Sequence, residues 1–155
     1  MFRKMRRFKQ QLTNEECEKI LREEPRGVLS MHGEDGYPYG IPIDFIFDEG
    51  KIYFHGAKTG HKIDALRADP RVSFCVYDEG YLKEGVQGLN IKSVIVFGRI
   101  RFVEDPEVII DKSRKIGLKY DPPEMVEDDV KRNAKIVQIL ELTIDHITGK
   151  LVNES

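Results

Sequence analysis

Residues 39–55 have the sequence YGIPIDFIFDEGKIYFH, in which apolar and polar side chains largely alternate. Alternation with a period of two is typical of a β-strand that has one buried face. It predicts one strand over Tyr39 to Phe47 and another over Lys51 to His55. The residues expected on the apolar faces are Ile41, Ile43, Phe45, Phe47, Ile52 and Phe54. Asp48-Glu49-Gly50 between the strands predicts a tight hairpin.

Similar patterns predict further elements on either side of this hairpin. The strands have alternating apolar positions and are expected at Gly27–Met31, Arg71–Tyr77, Ser93–Val103 and Val137–Ile147, the third broken at Gly98. The helices have capping residues or helical apolar spacing and are expected from Thr13 to before Pro25, over His61–Arg67, from Asp105 to Gly117 and over Glu124–Lys135. About six strands without regular intervening helices favour antiparallel pairing. The predicted fold is mainly β, a closed or nearly closed β-barrel with peripheral helices, in one domain over residues 1–155.

Composition places the chain among ordinary globular proteins. Of its 155 residues 40% are hydrophobic and 34% charged, and the formal net charge is −2. Apolar runs are only a few residues long, so no segment is expected to span a membrane. Two cysteines are too few for a disulfide framework, and a reducing cytoplasm is the expected location. The net charge argues against nucleic-acid binding over the whole surface.

The first ten residues, MFRKMRRFKQ, are basic and lack the apolar stretch of a secretory signal. We expect residues 1–10 to form a flexible arm. The interleaved basic and aromatic residues leave nucleic-acid binding through this arm as a weaker alternative.

A loop that could bind phosphate follows the second strand of the hairpin. Residues 53–64 have the sequence YFHGAKTGHKID, with two glycines, two lysines and two histidines between a strand and a helix. Glycines let a backbone approach a ligand, and a helix N-terminus offers free N–H groups. Lys58, His61 and Lys62 add positive charge and donors. The loop is therefore a candidate phosphate clamp, and a solvated basic loop is the alternative.

Two other features have ordinary structural interpretations. Pro42 cannot donate to a strand ladder and belongs at a sheet edge or bulge, and Asp44 on the same face could simply meet solvent. The four histidines have no pair at the i, i+4 spacing that places two ligands on one helix face. We therefore predict no metal site.

Five segments together resemble the nitroimidazole-resistance (Nim) branch of the pyridoxamine 5′-phosphate oxidase-like superfamily. They match it in order and spacing and lie at residues 37–45, 52–57, 60–66 with 70–72 following, 93–100 and 141–150. The resemblance covers roughly residues 10 to 150. It implies an FMN-binding split β-barrel that forms a homodimer, with two flavin sites at the subunit interface.

The resemblance also implies roles for individual residues. Ile41, Pro42, Ile43 and Asp44 would line the isoalloxazine ring, and Phe54, His55 and Gly56 would continue that wall. His61 and Lys62 stand where the superfamily usually has Arg-Lys as flavin-phosphate ligands, with Lys58 as a further donor. A histidine in place of the arginine loses the bidentate fork, which implies weaker or pH-dependent phosphate binding. Ser93 corresponds to a polar flavin contact, and His55 is the candidate catalytic residue.

The function implied is a flavin-dependent oxidoreductase that passes electrons through FMN to a small acceptor such as a nitroaromatic compound. One alternative is a flavin-binding electron carrier without a specific substrate. The other is an amine oxidase of the pyridoxamine 5′-phosphate oxidase type, although residues 150–155 do not match the C-terminal substrate-binding segment of that enzyme. FAD in place of FMN also remains open at this point.

Overall fold

Strands and helices fill most of residues 1–152, the part of the chain that this computed structural model describes. In that part of the chain the strands are β1 (Arg26–His32), β2 (Pro38–Asp44), β3 (Ile46–Asp48), β4 (Lys51–Ala57), β5 (Arg71–Tyr77), β6 (Tyr81–Leu82), β7 (Leu89–Phe102) and β8 (Val137–Val152). The helices are α1 (Asn14–Glu23), α2 (His61–Ala68), α3 (Pro106–Tyr120) and α4 (Pro123–Asn133). Residues 153–155, the end of the C-terminal segment considered above, lie outside the described residues.

The strands form one curled antiparallel sheet, an open half-barrel. Their order is β2-β1-β5-β7-β8-β4-β3, and the two-residue β6 pairs with β7. Every described strand pair is antiparallel. The predicted mainly-β split-barrel fold is confirmed.

The core lies inside the curl and is centred on three phenylalanines. Phe45, Phe54 and Phe74 are fully buried, and the rings of Phe45 and Phe54 meet that of Phe74 edge-on at centroid distances of 4.9 and 5.0 Å. Burying one such side chain contributes roughly 1.5–3 kcal/mol. Helix α1 packs on this core through Cys17, Ile20 and Leu21. The predicted capping box at its start is confirmed, since Thr13 and Glu16 cap each other's amides.

The predicted boundaries at Phe45 and Gly117 are wrong. The strand predicted over Tyr39 to Phe47 is interrupted at Phe45, which lies between β2 and β3. The helix predicted to end at Gly117 continues as α3 to Tyr120. Gly117 serves close packing instead, because a Cβ at this position would lie 3.0 Å from a methyl carbon of Val126 in α4.

Strands β7 and β8 are longer than predicted. β7 begins at Leu89, and β8 continues past Ile147 through residues that pair with the start of β7. Gly149 interrupts the apolar pattern there because α1 packs against it, where a Cβ would lie 2.5 Å from the Cys17 sulfur. The predicted break at Gly98 is confirmed as a register shift between Phe97 and Gly98.

A buried charge cluster ties β4 and β8 to β7. The carboxylate of Glu141, only 5% exposed, accepts hydrogen bonds from Lys51 Nζ at 3.0 Å, Tyr53 Oη at 3.1 Å and the Arg101 guanidinium at 3.0 and 3.2 Å. These donors outweigh the burial penalty and hold the pKa of Glu141 at about 2, while burial and the neighbouring carboxylate raise the pKa of Tyr53 well above its usual value. The cluster fixes Tyr53, two residues before His55.

The N-terminal residues lie against the outer face of the sheet. The ring of Phe2 stacks on His146 at 4.7 Å and on Phe97 at 5.5 Å. No helix within residues 1–152 has both the length and the apolar character needed to cross a bilayer.

Candidate functional site

The start of α2 presents backbone N–H groups that no side chain caps. Gly60 is the N-cap residue and has a φ of 130°, a conformation that side chains rarely adopt. It offers no capping side chain, and the first amides of α2 point toward the open end of the helix. The helix dipole adds positive potential there, so the end of α2 can accept an anion.

Lys62, in the first turn of α2, lies directly over Gly56 in β4. A Cβ on Gly56 would come within 2.7 Å of the Lys62 ammonium nitrogen, so a side chain at position 56 would push this ammonium aside. Lys62 is half-buried, and within residues 1–152 no hydrogen bond or ion pair to its ammonium is seen. Burial lowers the pKa of Lys62. An anion beside the ammonium would stabilise its charged form and so offset the effect of burial.

His61 and Lys58 flank this position differently. The imidazole of His61 stacks on the Tyr39 ring at 4.1 Å with 13° between the planes, which joins α2 to the start of β2. Lys58 instead donates from Nζ to the backbone oxygen of Lys135 at 2.8 Å. Of the three predicted phosphate donors, His61 and Lys62 are consecutive residues in the first turn of α2, whereas Lys58 is directed toward Lys135, just after α4.

A shallow groove of about 280 Å³ lies at the other end of β2, lined by Pro42, Ile43, Asp44, His55 and Arg26. Asp44 pairs with Arg26 at 2.9 Å. His55 is exposed in this groove. Arg26 belongs to no motif in the sequence. It reaches the groove because it is the first residue of β1, in register with Asp44.

The remaining predicted site residues pack on the core or lie away from the groove. Ile41 and Ile43 pack on the core, so they offer mainly their backbone to a ligand. Phe54 is fully buried in that core. Ser93 pairs with Lys150 while His55 pairs with Ile139, and at about 3.3 Å per residue these partners lie roughly 35 Å apart along β8. Ser93 instead lines a separate groove beside Arg3 and Lys150.

The C-terminal turn of α3 borders the groove and was missed by the sequence analysis. Tyr120 Oη accepts a hydrogen bond from Phe45 N at 2.9 Å, and Lys119 Nζ donates to Phe45 O at 2.8 Å. Tyr120 also lines a pocket of about 130 Å³ between α3, α4 and the groove residues Asp44 and His55. Because the helix was expected to end at Gly117, these two residues fell in a predicted loop.

The residues around Lys62 fit a phosphate group of a flavin nucleotide. They combine a half-buried ammonium without a partner in the described chain, an uncapped helix end and a cradle that a Cβ at Gly56 would fill. A curled antiparallel half-barrel with such a loop at one edge defines the class of flavin-binding split barrels. The chain belongs to the pyridoxamine 5′-phosphate oxidase family, whose model matches residues 13–151.

Solved structures share this fold at low sequence identity. A conserved hypothetical protein from Mycobacterium tuberculosis is 19% identical with a TM-score of 0.81, and covers 95% of this chain and 90% of its own. A candidate 5-nitroimidazole antibiotic resistance protein from Bacteroides thetaiotaomicron is 19% identical, with a TM-score of 0.77. The match covers 91% of this chain and 86% of that protein. An FAD-binding protein from Mesorhizobium loti is 24% identical, with a TM-score of 0.66. The match covers 92% of this chain and 97% of that protein. No curated protein sequence matches the chain.

Proposed function

We propose that this chain is a flavin-dependent oxidoreductase that uses FMN and passes electrons to a small acceptor such as a nitroaromatic compound. The observation that carries the proposal is the half-buried Lys62 ammonium, which lies over Gly56 at the uncapped end of α2. An ammonium in that position is stabilised by a phosphate, the one group of FMN that carries a full negative charge. Bound flavin would supply the electron transfer, and the protein would supply binding, orientation and electrostatics.

In this proposal the ring of the flavin lies along the groove at Pro42 to Asp44. The side chain of Pro42 and the Arg26–Asp44 pair would meet the ring and its polar edge. His55, exposed at the groove, would hold a proton for transfer to an acceptor there. Strand β2 packs on the core through Ile43, which is buried, and Ile41, which is half-buried. This packing would hold the backbone of the groove in place.

We further propose that the active form is a homodimer with the flavin between the two copies. Ser93 and His55 are too far apart to contact the same flavin within one chain, so a second copy would supply Ser93. Ile95 and Phe97, 41% and 39% exposed on the outer face of β7, offer apolar surface beside Ser93 for such a contact.

The visible spectrum of the purified protein, with chromatography of the released cofactor, tests the proposal. We expect a yellow protein that releases about one FMN per chain, whereas FAD would change the cofactor assignment. Replacing Lys62 by methionine should weaken FMN binding roughly 10- to 100-fold, the loss expected for a charged hydrogen bond. Lys58→Met should have a smaller effect because that ammonium bonds Lys135, and Lys19→Met on the exposed side of α1 is the control. A colourless protein that takes up neither FMN nor FAD would refute the proposal.

An electron carrier without a specific substrate is the second candidate. It is favoured by the surroundings of His55, which is exposed and has no hydrogen-bond partner among residues 1–152 to orient its ring. His55→Ala separates the two candidates. An enzyme that uses this imidazole should keep its flavin and lose turnover of a nitroaromatic acceptor, whereas a carrier should keep its rate of electron exchange.

A further inference from the structure

The break between β2 and β3 leaves the backbone of Phe45 outside the strand ladder, and α3 satisfies it. Tyr120 Oη accepts the Phe45 N–H at 2.9 Å and lies 2.6 Å from Pro25 O, to which it can donate its single proton. Lys119 Nζ donates to Phe45 O at 2.8 Å. Side chains from one helix end therefore hold both polar backbone groups of a single residue.

Lys119 also joins this residue to the core. Its ammonium lies 3.8 Å from the centroid of the Phe45 ring, which is fully buried. The same ammonium is attracted by the carboxylates of Asp44 in β2 and Glu24 after α1. Arg26 in β1 pairs with Asp44 and is the other cation at this edge. Lys119 thus combines a hydrogen bond, a ring contact and a charge next to the groove.

We propose that Lys119 and Tyr120 are positioning residues that fix the backbone of Asp44 and Phe45 where it borders the proposed flavin ring. This inference rests on the proposed function, and it assigns the positioning of the flavin-binding backbone to the C-terminal end of α3. A shift of Phe45 moves Asp44 with it, and Asp44 lines both the groove and the pocket between α3 and α4. These two residues would thereby control both the affinity for the flavin and the potential at its polar edge.

The charge of Lys119 predicts a pH dependence. Burial lowers the pKa of Lys119 to about 8, and Asp44 and Glu24 oppose this shift without cancelling it. Below that pH the ammonium favours negative charge on a neighbouring flavin, and above it this contribution is lost. The midpoint potential of bound flavin should therefore fall more steeply with pH above about 8.

The test compares Tyr120→Phe, Lys119→Met and Lys119→Arg with the control Lys131→Met, an exposed position on α4. In flavin-free protein, NMR exchange of the Phe45 amide should accelerate in Tyr120→Phe, since that amide loses its acceptor. With FMN added, fluorescence titration should give about tenfold weaker binding for Tyr120→Phe. Lys119→Met should abolish the change near pH 8, and Lys119→Arg should restore the low-pH potential and keep it above pH 8.

The outcomes separate this inference from the proposed function. If the wild-type chain binds FMN while both Tyr120→Phe and Lys119→Met keep its affinity within about twofold and retain the change near pH 8, the positioning role is overturned alone. Lower thermal stability with an unchanged potential has the same meaning, because the residues would then be only structural. A wild-type chain that binds no flavin overturns both proposals.

Discussion

Replacing Glu141 by glutamine would remove the central charge of the cluster that joins β4, β7 and β8. The carboxylate is 5% exposed and accepts hydrogen bonds from Lys51, Tyr53 and Arg101. A glutamine retains one acceptor oxygen but turns an N–H₂ group toward donors. It therefore leaves two cations and a buried hydroxyl without their carboxylate.

The size of the effect follows from the pKa of Glu141, which the cluster lowers from 4.5 to about 2. At about 1.36 kcal/mol per pKa unit, this difference corresponds to roughly 3 kcal/mol of stability at neutral pH. Lys51 and Arg101 are 41% and 61% exposed, so water can solvate them after the change and soften the loss. We expect Glu141→Gln to lower the free energy of unfolding by about 2–3 kcal/mol.

The pKa of Glu141 also determines the pH range over which the substitution changes stability. The folded-state pKa of Glu141 lies below the ordinary value, so its contribution is complete above about pH 4.5 and is lost as the pH falls toward 2. The difference in stability between wild type and Glu141→Gln should therefore be constant near neutrality and shrink across that acidic range.

Urea denaturation followed by circular dichroism at pH 7, 4.5 and 3 measures this difference. Glu127→Gln is a matched control, because its carboxylate pairs with Arg114 on the surface, where water screens the ion pair, and its loss should change stability much less. A loss under about 1 kcal/mol at pH 7, or a difference that does not shrink with acidity, would refute the reasoning.

Two further substitutions address the phosphate loop. Gly56→Ala should weaken FMN binding in fluorescence titrations with little change in the melting temperature of the flavin-free protein, because the new methyl would displace the ammonium of Lys62; tight binding by this variant would remove Lys62 from the site. His61→Arg should tighten FMN binding, since a guanidinium can hold phosphate with two hydrogen bonds; equal affinity in both proteins would contradict this.

Much of the fold follows from the sequence because period-two alternation over β1 and β5 coincides with burial on one face of the sheet. The errors occur where tertiary contacts replace local signals. Phe45 continues the alternation, yet it leaves the ladder because Tyr120 and Lys119 bond its backbone. Gly117 resembles a helix stop, but its missing side chain instead admits α4.

The candidate site is predictable only in part for the same reason. Gly56, His61 and Lys62 are close in sequence, so their residue types already indicate an anion loop. Tyr39 reaches His61 only when β2 folds beside α2, and Arg26 reaches Asp44 only through the β1–β2 register. No local pattern encodes such long-range pairs, and they require the strand order.

The proposed two-chain site leads to a complementation experiment between Lys62→Met and Ser93→Phe, a substitution that blocks the groove beside Arg3 and Lys150. Each homodimer would carry a defect in both of its sites. In a mixed dimer, one site would combine both defects, and the other would combine the intact Lys62 of one copy with the intact Ser93 of the other.

Unfolding and refolding an equal mixture of the two variants should therefore restore tight FMN binding to about a quarter of the sites, because half of the dimers are mixed and each has one intact site. Equilibrium dialysis against FMN measures this fraction, and refolding each variant alone is the control. If Lys62 and Ser93 acted on a flavin within one chain, mixing would create no intact site. Absence of recovery, in a mixture shown by differently tagged chains to contain mixed dimers, would therefore exclude the shared site.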